Sequence, residues 1–196
     1  MKKIIGFIIM LMLPVTTIAK DFNYTEVNTF VTSGSYTIGA RENINKDASH
    51  RILRYDFKES PYRIEYRYVS KGRNHESWFR FQRKWFNVNG IWFNHRFEHR
   101  IRENKNDVFR YRPQFGYKSN DVSLLGGVPF ITFEPQWNHT YKNGKSEYSH
   151  LQTFTGIEYK INSAFKIVPY IEVDFNDSMN KDIAFFILDF KYNMSK

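Results

Sequence analysis

The feature that most constrains this chain is an alternation of apolar and charged side chains with a period of two residues. In the stretch 108–118, the aromatic residues Phe109 and Tyr111 alternate with Arg110 and Arg112. Successive side chains of a β-strand point to opposite faces, so this pattern predicts strands with one apolar and one charged face. The helical period of about 3.6 residues is absent from the sequence. We therefore expect an all-β protein.

Clusters of Asn, Asp, Gly, Ser and Lys divide the alternating region into about ten strands of about 8 to 14 residues. Pairing each strand with the next along the chain gives an antiparallel meander. The segments 21–34 and 124–129 fit the pattern less well and could contribute further strands, so about twelve strands is the alternative. The expected strands are Ser35–Arg41, His50–Phe57, Tyr62–Val69, Ser77–Trp85, Gly90–Arg102, Val108–Lys118, Pro129–Tyr141, Tyr148–Lys160, Phe165–Phe175 and Ile183–Tyr192.

The expected connections alternate between tight turns and longer polar links along the chain. Tight turns are expected at 58–61, 87–90, 119–121 and 161–163, and longer links at 42–49, 70–76, 103–107, 142–147 and 176–182. Outer-membrane β-barrels have short periplasmic turns and longer extracellular loops, and an even number of strands places both termini on the periplasmic side. The sequence therefore predicts an antiparallel transmembrane β-barrel.

The first residues have the layout of a secretory signal peptide. Two lysines are followed by an apolar run over 4–15 and by compact residues up to Ala19. An apolar run of about 12 residues is shorter than the roughly 20 that a membrane-spanning helix needs. We expect a signal peptide at 1–19, a single barrel domain at 20–196 and a location in the bacterial outer membrane. The chain has no cysteine, so disulfide bonds cannot stabilise it.

The charge balance narrows the class of partner. The sequence has 29 Lys and Arg against 20 Asp and Glu, a formal net charge of +9. A strongly basic protein binds nucleic acid, an anionic membrane surface or an anionic solute. Export from the cytoplasm argues against nucleic acid, and basic residues spread over alternating strands argue against a basic amphipathic helix. The expected partners are outer-membrane lipid and a small anionic solute.

The alternation also assigns the charged residues to the inside of the barrel. A charge on the lipid face costs roughly 2 to 4 kcal/mol near the midplane, so arginines within strands are expected to point inward. Many unpaired inward cations require a water-filled lumen, which favours an anion-conducting channel. Inward ion pairs that fill a closed barrel are the alternative. The inward residues expected on the third to sixth strands are Arg63, Arg67, Arg80, Lys84, Arg96, Arg100, Arg102, Arg110, Arg112 and Lys118, with only Glu65 and Glu98 as acids, facing a more acidic side around Glu134, Glu172 and Asp174.

Three segments resemble the oligogalacturonate-specific porin family of monomeric outer-membrane channels. They are the basic alternating run 92–100, the segment 168–174 with its Pro-Tyr-Ile-Glu sequence, and the aromatic last strand 183–192. The resemblance implies a narrow pore, a monomer and passage of acidic oligosaccharides. It also implies that inward arginines guide the solute. The residues to which this role carries over are Arg63, Arg67, Arg80, Arg96, Arg100, Arg110 and Arg112.

A barrel enzyme, such as an acyl hydrolase, is the third alternative. Ser149 and His150 are an adjacent nucleophile and base, but neighbours on a regular strand point to opposite faces. His95 and His99 share a strand face without acids on that face, which is a weak metal signal. Phosphate-binding loops and cysteine metal motifs are absent from the sequence. We therefore expect a protein that is not an enzyme, with neither cofactor nor metal.

Overall fold

A computed structural model of the chain describes residues 24–44, 47–119, 121–141 and 144–195. These residues form an all-β structure in which every element is a strand. Within them, helices that are long and apolar enough to cross a membrane are not found. The signal peptide expected at 1–19 lies outside the described residues.

The strands follow one another in a meander, and each of the ten strand regions expected from the sequence is present with small shifts of its ends. They are β1 (Tyr24–Ser33), β2 (Tyr36–Asn43), β3 (Ala48–Asp56), β4 (Tyr62–Lys71), β5 (Asn74–Val88), β6 (Ile91–Arg102), β7 (Val108–Tyr111), β8 (Gln114–Lys118), β9 (Val128–Thr140), β10 (Lys145–Lys160), β11 (Phe165–Asn176) and β12 (Lys181–Asn193).

β7 and β8 together make a single strand of the barrel. Both lie between β6 and β9, and the register is the same on either side of the break: Tyr111 pairs with Phe97, and Gln114 pairs with Asn94. The ladder is interrupted at Pro113, because proline has no N–H to donate. The Arg112 N–H still donates a hydrogen bond to the Arg96 carbonyl oxygen, at 2.8 Å. The barrel therefore has eleven strand positions.

The barrel closes by pairing its first strand with its last. β1 pairs with β12 in a parallel register, from Tyr24 opposite Phe185 to Thr32 opposite Asn193. All other pairings are antiparallel. A meander with an odd number of strands can close only in this way, because its first and last strands run in the same direction. The expectations of ten strands and of an even number were wrong: β1 occupies the segment that the alternation left unassigned.

We call the two ends of the barrel upper and lower. The upper connections are 44–47, 72–73, 103–107, 141–144 and 177–180, and the lower connections are 34–35, 57–61, 89–90, 119–127 and 161–164. β1 begins at the upper end and β12 ends at the lower end, so the expectation of both strand termini at one end was wrong. The expected contrast in loop length was also wrong, because the longest connection, 119–127, lies among the expected tight turns.

The two faces of the barrel differ as the alternation predicts. Inward side chains such as Glu98, Glu134 and Gln136 are 0% exposed, whereas outward Ile38 and Phe79 are 67% and 49% exposed. Water-soluble proteins usually bury apolar side chains and expose charged ones. In this barrel charged side chains such as Glu98 lie in the interior, beside apolar ones such as Val69 and Ile187, and large apolar side chains are exposed on the outer surface.

Candidate ligand site in the barrel lumen

The arginines expected to point inward do line the lumen, but to different depths. The side chains of Arg67, Arg80 and Arg112 are 7–8% exposed, and that of Arg100 is 10% exposed. The remaining three of the seven, Arg63, Arg96 and Arg110, are 15–23% exposed. The face assignment that placed all seven of them inside is therefore consistent with the structure.

The upper half of the lumen is organised around Glu98, which lies four residues before the upper end of β6. Arg80 from β5 and Arg100 from β6 form ion pairs with its two carboxylate oxygens. Arg110 and Arg112 from the next strand approach it at 3.8 Å and 3.6 Å. Four guanidinium groups from three neighbouring strands therefore share one completely buried carboxylate.

Two further glutamates extend this cluster across the barrel. Glu65 pairs with Arg54, Arg67 and Arg80 at 2.7, 3.0 and 2.9 Å. Glu134 of β9 pairs with Arg96 at 3.2 Å and also with Arg112. We call these ten residues the upper ion-pair cluster. Its members are Arg54, Glu65, Arg67, Arg80, Arg96, Glu98, Arg100, Arg110, Arg112 and Glu134.

Several cations that the sequence left unpaired have partners on strands that were not considered. Arg63 and Lys84 both pair with Asp56, at 2.7 and 3.4 Å. Lys118 pairs with Glu158 at 2.8 Å. The expected excess of unpaired cations was therefore too large, because it counted only the acids on the same four strands. Partners in a barrel come from every strand that faces the lumen.

Trp78 is an inward residue that the sequence analysis overlooked. The Arg100 guanidinium carbon lies 3.4 Å from the centroid of its ring, and those of Arg80 and Arg67 lie at 5.1 and 5.5 Å. Its indole N–H donates to Glu76 at 2.6 Å. The electron-rich faces of an indole attract cations, so the ring separates and stabilises these like-charged groups. The sequence signal for this role was the position of Trp78 on the same strand face as Arg80.

The wall opposite the cluster is acidic, as expected, but its membership differs. Gln152 donates to both Glu172 and Asp174, at 2.8 and 3.0 Å. Asn28 of β1 donates to Asp189 at 2.7 Å, which adds the unexpected first strand to this wall. Glu134, expected among these acids, belongs to the upper ion-pair cluster instead.

The lower half of the lumen is lined by aromatic rings. Trp92, the second residue of β6, lies over Gly116, where a Cβ atom would come within 2.2 Å of the indole ring. The Tyr170 ring centroid lies 6.2 Å from those of both Phe130 and Phe154. Only a residue without a side chain allows the Trp92 ring to lie this close to the wall. The ring is therefore held flat against the barrel.

A cavity of about 440 Å³ lies in the lumen between these walls. It is lined by charged residues of the cluster, by acidic residues of the opposite wall and by the lower aromatic rings. A water molecule takes up about 30 Å³ of liquid, so the cavity has room for several. Within the described residues, the buried Nε groups of Arg41, Arg67, Arg110 and Arg112 have no acceptor in the protein. Of these four residues, Arg41, Arg67 and Arg112 line the cavity, although their Nε atoms are themselves shielded from solvent.

Ser149 and His150 correct an argument made from the sequence. A β-bulge between Tyr148 and His150 disturbs the regular alternation, and the Ser149 hydroxyl lies 2.9 Å from His150 Nδ1. Their expected placement on strictly opposite faces was therefore wrong. In the described part of the chain, neither nitrogen of His150 has a hydrogen bond to a carboxylate, which a catalytic triad uses to orient its base.

A metal site is likewise not found in the described ranges, where no three His, Cys, Asp or Glu side chains are grouped to hold an ion. Comparison with family models, with curated proteins and with solved structures found no match to this chain. The function is therefore argued from the barrel and its lumen.

Proposed function

We propose that this chain is a β-barrel of the bacterial outer membrane. Its outward side chains support this location: Leu53, Ile64 and Phe81 are 52%, 45% and 41% exposed on the outer surface. A closed barrel suits the hydrocarbon core because it leaves no sheet edge unpaired in lipid, where each unsatisfied group costs several kcal/mol. The signal-peptide layout of the first residues agrees with export.

We further propose that the barrel is a narrow channel for small anions. The observation that carries this proposal is the lumen cavity of about 440 Å³ into which arginines project. The buried Nε groups of Arg67 and Arg112 lack a protein acceptor among the described residues. Both residues line the cavity, so their positive charges would attract an anion that enters it. Weak binding at several arginines would let an anion enter and still leave.

The resemblance to oligogalacturonate porins would extend the solute to acidic oligosaccharides, but the side-chain arrangement favours smaller anions. Glu98 links arginines from three adjacent strands in the upper half of the lumen. A sugar oligomer would have to displace these ion pairs, whereas a halide, a carboxylate or a phosphate could pass between them. We therefore propose single small anions as the main solutes.

A closed barrel without transport is the second candidate, and the same Glu98 cluster favours it. Four guanidinium groups around one carboxylate that is 0% exposed link three adjacent strands along the lumen wall. If these contacts never open, the barrel serves as a membrane anchor or a surface structure.

Ion conductance across a planar bilayer distinguishes the two candidates. With a salt gradient across the bilayer, we expect discrete conductance steps and a reversal potential that indicates a preference for Cl⁻ over K⁺. Arg110→Gln together with Arg112→Gln should reduce that preference. The matched control is Arg51→Gln, because Arg51 is 59% exposed and pairs with Glu42 outside the lumen. Absence of conductance from correctly refolded barrel would reject the channel.

A further inference from the structure

At the lower mouth of the barrel lies a second cavity of about 530 Å³, which we call the lower vestibule. It opens beside the turn at 89–90 and is separate from the arginine cluster of the upper half. Its lining includes the Trp92 ring, the amides of Gln82 and Asn94, and three cations. The cations are Arg63, Lys84 and Lys118.

The cations of this mouth outnumber its acids. Arg63 and Lys84 share one oxygen of Asp56, at 2.7 and 3.4 Å. Lys118 and Lys166 share one oxygen of Glu158, both at 2.8 Å. Each carboxylate is therefore shared between two cations. Asp56, Glu158 and Lys166 do not line the vestibule, whose described lining has three cations and no acid. An anion of more than one charge would be attracted there.

Trp92 gives the vestibule a flat surface for a ring. Its indole is held over Gly116, where even a Cβ atom would come within 2.2–2.5 Å of the ring. A nucleobase stacks favourably on an aromatic side chain, because every base has a flat π face. The amide side chains of Gln82 and Asn94 line the same cavity and can both donate and accept hydrogen bonds.

We propose that the lower vestibule binds a phosphate monoester carried on a flat ring, the chemistry of a nucleoside monophosphate. A phosphate monoester carries a charge of about −1.5 to −2 at neutral pH and three acceptor oxygens, which suits a lining with three cations. The ring stacks on Trp92, and the phosphate lies among Arg63, Lys84 and Lys118. Binding from the lower end does not require the lumen to conduct, so this site can be tested even if the barrel is not a channel.

Calorimetric titration of the refolded barrel with AMP tests the site, with adenosine, inorganic phosphate and galacturonate as separate probes. We expect one AMP per chain, and at least about tenfold weaker binding of adenosine, which lacks the dianion, and of phosphate, which lacks the ring. Galacturonate carries a ring and a single charge, so it should also bind more weakly than AMP. Phosphate binding as tightly as AMP, or galacturonate binding more tightly, would overturn the proposal.

Variants then locate the binding. Trp92→Leu should weaken AMP binding by about tenfold but change phosphate binding little, because it removes the stacking surface alone. Lys84→Gln with Lys118→Gln should weaken both. Lys160→Gln is the matched control, because Lys160 is an exposed lower-end cation that is not part of the vestibule. Heat-dependent migration on gels verifies that each variant is folded. If a folded Trp92→Leu barrel bound AMP as the parent does, the assignment would be wrong; if that variant did not fold, unchanged AMP affinity in the lysine double variant would reject it.

Discussion

The upper ion-pair cluster and the lower mouth of the lumen are built from the same alternating sequence but differ in chemistry. In the cluster, Glu65, Glu98 and Glu134 are buried, and each pairs with two or more arginines. In the lower half, aromatic rings line the wall and the cations are more exposed, such as Lys84 at 51%. Alternation therefore decides only that a side chain points inward. Whether that side chain ends in a packed ion-pair cluster or an open mouth depends on its cross-strand partners.

The largest effect that tests this comparison is expected at the centre of the upper cluster. Glu98→Gln removes the carboxylate that Arg80, Arg100 and Arg112 share. Losing one partner of a buried ion pair leaves uncompensated charge and costs about 3–5 kcal/mol. We expect the free energy of unfolding, measured by urea titration of tryptophan fluorescence, to fall by that amount. The exposed pair of Glu42 with Arg51 supplies the control Glu42→Gln, with an expected loss of about 0–1 kcal/mol. Equal losses would show that the upper cluster is not special.

A smaller effect is expected where the wall of the lumen carries a glycine. In Gly156→Ala, the new methyl group would meet Tyr170 Cβ at 2.4 Å and the Pro169 carbonyl oxygen at 2.5 Å, so backbone must move. Overpacking of this kind costs about 1–3 kcal/mol. Gly116→Ala meets only ring atoms of Trp92, which a change of rotamer can move away. Thermal unfolding should therefore show a larger drop for Gly156→Ala, while AMP binding should suffer more in Gly116→Ala. The reverse order would contradict the placement of the Trp92 ring.

An effect of intermediate size is expected on the ion selectivity of the barrel. In an open channel, high salt should reduce the preference for anions, because the screening length shortens from about 10 Å at 0.1 M to about 3 Å at 1 M. Exposed lower cations such as Lys84 and Lys118 should lose influence first, and buried Arg112 last. Reversal potentials of Lys84→Gln with Lys118→Gln, measured over this range, should converge on those of the parent barrel at high salt. A difference that persisted at 1 M would show that the lower cations act as a buried filter.

The sequence predicts the strands and their faces because one local rule, alternation, governs both. The inward positions of Arg67, Arg100 and Arg112 follow from it directly. The number of strands does not follow from alternation. β1 carries Thr, Asn and Val in an irregular order, and it is a barrel strand because it pairs in parallel with β12. Ion-pair partners were missed for the same reason. Asp56 contacts Arg63 across the β3–β4 pair, and Glu134 of β9 contacts Arg96 of β6 past the strand between them. Such contacts depend on strand order and register.

The smallest effect is expected for a single lower-end cation, and β5 offers a comparison within one strand. Arg80 and Lys84 both point inward, but Arg80 is 8% exposed between two carboxylates, whereas Lys84 is 51% exposed and 3.4 Å from an Asp56 oxygen that Arg63 also uses. Water solvates Lys84 in the folded barrel, so Lys84→Gln should change the free energy of unfolding by less than about 1 kcal/mol. Arg80→Gln removes a cationic partner from both Glu65 and Glu98, so the loss in free energy of unfolding should be several times larger. Urea titration of the two variants side by side measures the difference. Equal losses would mean that the lower mouth is packed as tightly as the upper cluster, and a vestibule open to a ligand could not be maintained there.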